Sequence, residues 1–363
     1  SRSSLLGFAV DTGGVTSHVA ILARSLGLPA LVAMHDATEK VTTGETVILD
    51  ADQGELIIDP DPETIREYER RQRRMSVGGV GTTGPVFDTD GPTAHTTDGH
   101  AVTLGMNLEF GSEIAIEDAE RVAREASPAR ARRTLGLGLV RTEHFILSQD
   151  TFPSEEEQNI LYQRLADRFH QAQVTFRTFD VGGDKLLTGS FHEDNPFLGW
   201  RGLRISLDEP EIFLGQLRAI LRASATHKVR IMFPMVTMLD ELDRALAYLE
   251  VAREELRHKG ERFDEALPVI AMIEVPSAAL LAGALVDRVS GFSIGSNDLT
   301  QYTLAVDRGN NLIAGMYQEL HPAVLMLIRT TVEAARRGKK PVSVCGELAS
   351  NPLATPLLVG LGI

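Results

Sequence analysis

The sequence predicts an α/β protein whose larger part is a (β/α)8 barrel short of its last strand, preceded by a smaller region of short strands. Three observations predict it. From residue 101 onward strand-like and helix-like segments alternate, with seven strand candidates. Polar or charged residues recur at the C-terminal end of nearly every one. The 363 residues, 43% hydrophobic and 24% charged, suffice for about two domains with an ample core. Alternation implies a parallel sheet with right-handed crossovers. Recurrent polar strand ends favour a barrel with one shared site over a doubly wound open sheet, which stays the alternative.

Taken in order, Leu5–Val10 is apolar and strand-like, 18–27 reads as a helix, and Ala30–Ala33 as a short buried strand. Thr46–Asp50 and Glu55–Ile58 form a hairpin around Asp52-Gln53-Gly54. Pro60–Met75 is strongly charged without a wide apolar face, the pattern of an exposed connecting helix. Residues 76–99 are rich in Gly, Thr and Asp and read as a linker, from which Thr97-Asp98-Gly99-His100 leads into the next strand. The barrel strands fall at Val102–Phe110, Gly136–Thr142, Val174–Asp180, Val229–Met235, Pro268–Val275, Gly291–Ser296 and Pro341–Gly346. Helices between them are expected over 113–127, 155–171, 210–226, 238–258, 276–286 and 321–337. The domains are therefore 1–60, a connection over 61–100, and the barrel over 101–363.

A net charge of −14 argues against nucleic-acid binding, which needs a basic footprint. Cys345 is the only cysteine, so no intramolecular disulfide forms and a cytoplasmic setting is the default. No apolar run is long enough to span a bilayer, and no signal peptide is expected. The chain starts at Ser1 and stops at Ile363 just after an apolar run, so both ends read as cut.

The run Gly13-Gly14-Val15-Thr16-Ser17-His18 carries the first chemical signal. Two glycines allow close backbone approach to a ligand, and Thr16 and Ser17 are N-cap residues before a helix. His18 then sits in the first turn, where orphan N–H groups favour an anion. An isolated histidine there would merely mark a helix start; with this flank it resembles the phosphohistidine signature of phosphoenolpyruvate-utilising enzymes.

The strand ends carry the second. They read Arg141-Thr142-Glu143, then Arg177 to Lys185, then Asn195 to Arg201, Glu274-Val275-Pro276, Asn297-Asp298, Asp307-Arg308 and Cys345-Gly346-Glu347. Several arginines with two separated carboxylates suit a phosphate-bearing anion held with a divalent metal, since the guanidinium fork matches phosphate oxygens. Glu274 and Asp298 suit Mg²⁺, which takes one or two protein carboxylates. Any one of these arginines alone would pass for an ordinary ion pair. A lone Cys345 is most simply a small buried apolar residue, but at a barrel mouth its thiol could also protonate a carbanion.

Together these residues resemble the Enzyme I family of the phosphoenolpyruvate-dependent sugar phosphotransferase system. The blocks that carry the resemblance are Gly13–Arg24, Phe176–Lys185, Asn195–Arg204, Ile231–Met235, Phe292–Asn310 and Val344–Leu348. The resemblance implies a phosphotransferase with a TIM barrel that binds phosphoenolpyruvate and Mg²⁺, preceded by part of a phosphohistidine swivel domain. His18 would be phosphorylated and would pass the group to the carrier protein HPr. Arg141, Arg177 and Arg308 would hold the phosphate, with Arg201 as a further matched position. Asn297 would bind the substrate carboxylate, Glu274 and Asp298 the metal, and Cys345 would protonate the enolate. The family's HPr-binding domain, upstream swivel strands, eighth barrel strand and dimer-forming end are absent from this chain, so a homodimer is implied only for the longer protein. Arg132-Arg133-Thr134 and Glu109-Phe110 depart from the family pattern, and His144 matches the pyruvate phosphate dikinase relative better. The alternatives are a phosphoenolpyruvate synthase or pyruvate phosphate dikinase-like enzyme, and an inactive phosphoenolpyruvate-binding fragment. Sugar-system, nitrogen-system and fused forms all stay open.

Overall fold

In the computed structural model the described residues are 5–11, 28–51, 53–77, 93–109, 136–143, 152–170, 172–182, 193–310 and 312–363. They fall into two units, Ser1–Pro85 with Leu304–Gln318, and Val86–Thr303 with Glu319–Ile363.

In the first unit, β1 (Phe8–Ala9) pairs in parallel with β2 (Ala30–Leu31). The strand expected over Leu5–Val10 thus keeps two paired residues. The one expected over Ala30–Ala33 stops at Leu31, because Ala33 and His35 adopt φ of 58° and 64° and turn the chain. A short helix absent from the sequence reading, α1 (Ala37–Lys40), follows; the Asp11 carboxylate accepts from the Ala37 N–H at 2.6 Å and caps it from a distant loop. The hairpin of β3 (Val47–Asp50) and β4 (Glu55–Ile58) forms as expected. In α2 (Pro62–Val77), Asp61 accepts from the Glu63 and Thr64 amides at 2.9 and 2.8 Å. This helix is pinned rather than merely connecting, since Arg71 pairs with the buried Asp50 at 2.8 Å. The helix expected over 18–27 lies outside the described residues.

The second unit opens with an antiparallel pair, β5 (Thr93–His95) and β6 (Ala101–Thr103). Residues 97–100, expected as linker, lie in its turn, where the Thr96 hydroxyl accepts from the His100 N–H at 2.9 Å. The single strand expected over Val102–Phe110 is therefore two strands in different sheets. Its second half, β7 (Gly105–Glu109), begins a seven-stranded parallel sheet. The sheet continues through β8 (Gly136–Arg141), β9 (Val174–Arg177), β10 (Val229–Phe233), β11 (Val269–Ile273), β12 (Gly291–Ile294) and β13 (Val342–Val344), each bonded to the next. Doubly wound sheets reverse strand order at a switch point. No reversal occurs here, which removes that alternative.

The sheet curls. Leu139 of β8, Met232 of β10, Ile270 and Met272 of β11 and Cys345 just after β13 meet in one buried cluster. Across the two ends of the sheet, Asn107 Nδ2 donates to the Cys345 carbonyl at 2.7 Å. Strands β9, β11 and β12 are buried along their whole length, as parallel strands covered on both faces must be.

Around the sheet run α3 (Glu155–Arg168), α4 (Leu203–Asp208), α5 (Pro210–Ala223), α6 (Leu239–Lys259), α7 (Pro276–Leu280), α8 (Ala282–Leu285), α9 (Ser296–Leu304), α10 (Pro322–Arg337) and α11 (Thr355–Leu361). Their ends carry local signals: Ser154 and Glu157 form a capping box on α3, and α6 ends in Arg257-His258-Lys259 before the left-handed Gly260. The helix expected over 276–286 breaks at Leu281 into α7 and α8. The one expected over 113–127 lies outside the described residues. Among the described residues, no helix is long and apolar enough to cross a membrane.

Candidate functional site

Chain-order topology and parallel pairing put the C-terminal ends of β8 to β13 on one rim of the sheet. Arg141 ends β8 and Arg177 ends β9, and the two are register neighbours across the ladder. Like charges side by side on adjacent strands repel, so acids must hold them. Arg177 Nη2 bonds Glu143 Oε1, and Arg177 Nη1 lies 3.1 Å from Asp180 Oδ2. Arg201 Nη2 bridges Asp180 Oδ2 at 2.9 Å and Asp298 Oδ2 at 3.0 Å, while its Nη1 donates to the Tyr302 hydroxyl at 3.2 Å. An isolated antiparallel bridge between Gly182 and Arg201 brings Arg201 in from its loop.

Burial raises the stakes of each pair. It pulls the guanidinium pKa of Arg177 down, but Glu143 and Asp180 more than reverse this, and the group stays charged. Burial likewise pushes Asp180 up, yet Arg177 and Arg201 hold its carboxyl below the usual carboxylate range. Arg177 Nε and Glu143 Oε2 are buried with no hydrogen-bond partner among the described residues. The Arg177 N–H there is a donor in want of an acceptor, the requirement an anionic ligand meets.

On the other side of the rim, Glu274 follows β11 and accepts from the Met235 N–H at 2.7 Å. Burial first, then the charges of Asp298 and Asp180, push its carboxyl up to about 8. Its neighbour across the ladder is short of side chain: a Cβ on Gly295 would lie 2.8 Å from Glu274 Cβ and 2.9 Å from Oε2. Asn297 and Asp298 lie in the first turn of α9, and Asn297 Oδ1 accepts from the Glu347 N–H at 2.8 Å. That contact needs Gly346, where a Cβ would fall 2.8 Å from both Asn297 Oδ1 and Ser296 N. Cys345 is buried beside them, its Sγ 3.6 Å from the Ile294 carbonyl, and burial pushes its thiol up.

Of the residues expected from the sequence, Arg177 and Arg201 are joined directly through Asp180, and Asp298 through Arg201. Arg141, Glu274, Asn297 and Cys345 lie on the same rim of the second unit. Arg308 belongs to the Leu304–Gln318 segment grouped with the first unit. His18 lies outside the described residues. The sequence reading quoted Glu143, Asp180 and Tyr302 without giving them a role; their part as counter-charges and anchor is visible only once the strands align. It named Met235, at φ 51°, without foreseeing that its amide bonds Glu274, and it missed the buried Gln216. The one available signal for Gln216 was a polar residue on the apolar stripe of α5, between Leu214 and Leu217.

A family model for the PEP-binding domain of PEP-utilising enzymes matches residues 91–363, and one for their mobile domain matches residues 2–54. The phosphoenolpyruvate-protein phosphotransferase of Haemophilus influenzae is 41% identical over 361 residues, covering 99% of this chain and 60% of the relative. Those of Cupriavidus necator and Bacillus subtilis are each 40% identical, covering 98% and 100% of this chain and 59% and 61% of theirs. The chain thus spans about three-fifths of the length of these relatives. A malate synthase of Haloferax volcanii aligns with a TM-score of 0.41 at 16% identity, over 72% of this chain and 66% of that one, too distant to bear on the argument.

Proposed function

From its membership of the PEP-utilising enzyme family, to which this chain belongs through residues 91–363, we propose that it is the catalytic part of a phosphoenolpyruvate-protein phosphotransferase. Phosphoenolpyruvate binds at the rim, its phosphoryl group passes to His18, and from there to the carrier protein HPr. The observation that carries this reading is the buried set of arginines and carboxylates at successive strand ends, with Arg177 and Arg201 sharing Asp180. The names of the curated relatives support it over a phosphoenolpyruvate synthase or pyruvate phosphate dikinase-like enzyme.

In this reading residues 101–363 are a TIM barrel without its last strand, residues 1–60 part of a phosphohistidine swivel domain, and 61–100 the connection. The longer protein acts in the cytoplasm as a homodimer.

Arg141, Arg177, Arg201 and Arg308 hold the phosphate, and Asn297 the substrate carboxylate. A neutral His18 imidazole nitrogen attacks phosphorus as the P–O bond to the enol breaks. The arginines balance charge spread over the phosphoryl oxygens in the loose transition state. The enolate left behind takes the Cys345 proton at carbon, giving pyruvate; the raised thiol pKa keeps that proton available.

The donor set fits Mg²⁺. Among the described residues no group of three or more His, Cys, Asp or Glu side chains is arranged to hold a metal ion. Two carboxylates completed by substrate oxygens and water is the Mg²⁺ pattern, and a divalent cation would relieve the crowding that raises Glu274. Glu274 and Asp298 would hold it, and when bound it supplies positive charge to the phosphate oxygens and the enolate.

The test is intact mass after incubation with phosphoenolpyruvate and Mg²⁺ at mildly alkaline pH, where phosphohistidine survives. One added phosphoryl group is expected, absent from His18→Ala and from a sample given only ATP. Labelling of His18→Ala at full stoichiometry would overturn the assignment, and labelling by ATP alone would favour a nucleotide-using enzyme.

A further inference from the structure

Behind the arginine side of the rim runs a buried hydrogen-bond chain that touches no reacting group. Gln216, with no solvent exposure, projects from the middle of α5. Its Nε2 donates to the Thr142 hydroxyl and to the Tyr162 hydroxyl, each at 3.1 Å. Its Oε1 accepts from the Phe179 N–H at 3.0 Å. Thr142 passes its own hydrogen to the Arg177 carbonyl at 2.8 Å, and Tyr162 donates to Gln158 Oε1 at 3.1 Å. The direction of every bond is fixed, because Thr142 has one hydrogen and gives it to Arg177, so Gln216 must present its NH₂ there.

The place of this chain matters more than its size. Thr142 stands between Arg141 and Glu143, and Phe179 between Arg177 and Asp180. Gln216 therefore fastens together the two peptide segments that carry both arginines and both counter-charges. The β8–β9 ladder slips its register between Leu137 and Val140 and is in register again only at its last two pairs, Val140 with Phe176 and Arg141 with Arg177. Arg141 and Arg177 lie side by side at its end and repel. The ladder pairs their backbones, and the Gln216 bonds add a second tie between the segments just past the strand ends.

We propose that Gln216, acting through Thr142 and the Phe179 amide, is the positioning residue that sets the spacing of Arg141 and Arg177 for the phosphoenolpyruvate anion. This rests on the reading of those arginines as the anion's holders. Gln216 itself touches no substrate atom.

The experiment is calorimetric titration of the 363-residue chain with phosphoenolpyruvate and Mg²⁺, beside thermal unfolding, for Gln216→Met, Thr142→Val, Thr142→Ser and Tyr162→Phe. Gln216→Met and Thr142→Val should each weaken binding about tenfold, of the order that loss of one well-made hydrogen bond allows. Thr142→Ser, which keeps the hydroxyl, should restore it to within about twofold. Tyr162→Phe removes a hydroxyl from the same buried chain on the side away from the strand ends. It should lower the melting temperature comparably while leaving the dissociation constant within about twofold of the unsubstituted chain. An unchanged constant in Gln216→Met and Thr142→Val would overturn the inference, as would an equal weakening by Tyr162→Phe. If Gln216→Met does not fold, the valine and serine variants of Thr142 decide. Failure of the unsubstituted chain itself to bind would instead overturn the functional reading on which the inference rests.

Discussion

On the β8–β9 side of the rim, charged side chains are held by bonds made behind them; on the β11–β13 side the bonds to Glu274 and Asn297 depend on space left empty beside them. Arg177 is gripped by Glu143 and Asp180, and its peptide by Thr142 and, through Phe179, by Gln216. Glu274 and Asn297 sit where Gly295 and Gly346 present no side chain. The difference teaches that one site can be preorganised by two devices with opposite modes of failure. The first side loosens when a support is deleted, and the second collides when an atom is added.

The largest expected effect tests the first device. Arg177→Met would leave Glu143 and Asp180 buried beside an apolar chain, and losing one partner of a buried pair costs about 3–5 kcal/mol. Urea unfolding should read a loss of that order; a loss below about 1 kcal/mol would mean the acids are not held by Arg177. The second device is tested by Gly295→Ala. Its new methyl would press on Glu274, with an overpacking cost of about 1–3 kcal/mol and loss of any Mg²⁺-dependent rise in melting temperature. Gly360→Ala, in α11 with nothing within 4 Å, is the control and should not destabilise.

A pH series sharpens the comparison further. The carboxyl of Asp180 is held below its usual value of 3.8, so its contribution is present above that value. It disappears as pH falls through the lower folded value. Melting curves between about pH 2 and 6 should therefore fall less steeply for Asp180→Asn than for the unsubstituted chain; equal slopes would show that Asp180 is not ionised in the fold. The smallest effect is expected at Cys345. Its thiol is pushed above the ordinary value of 9.0, so alkylation at neutral pH should be slow. Cys345→Ser should cost about 1 kcal/mol or less while slowing pyruvate formation more than phosphoryl release. Rapid alkylation at pH 7 would contradict a buried, protonated thiol.

Much of this was legible in the sequence, for identifiable reasons. Short, largely apolar segments bounded by turn residues located all seven strands of the parallel sheet, most clearly β9, β11 and β12, which are buried along their length. The ends of α3 and α6 were marked by caps and terminal charges, which act within a few residues. What was not legible depended on partners far along the chain. Val102–Phe110 reads as one alternating strand, and nothing local says that Ala101–Thr103 pairs backwards while Gly105–Glu109 pairs with β8. The cap on α1 comes from Asp11, 26 residues before the amide it holds. Pro60–Met75 looked exposed because the residue that pins it, Asp50, lies on another element.

The site divides along the same line. By itself the sequence determined which residue types stand at the strand ends, since strand periodicity and turn chemistry are local properties. It therefore determined the arginines, the two separated carboxylates and the single thiol. Only the tertiary structure decided that Arg141 and Arg177 are neighbours, that Asp180 is shared by Arg177 and Arg201, and that Glu274 is pushed up to about 8. Charge–charge energies and desolvation depend on distance and burial, and the curl of the sheet sets both, bringing Asp180 and Asp298, 118 positions apart in the chain, each to about 3 Å from Arg201.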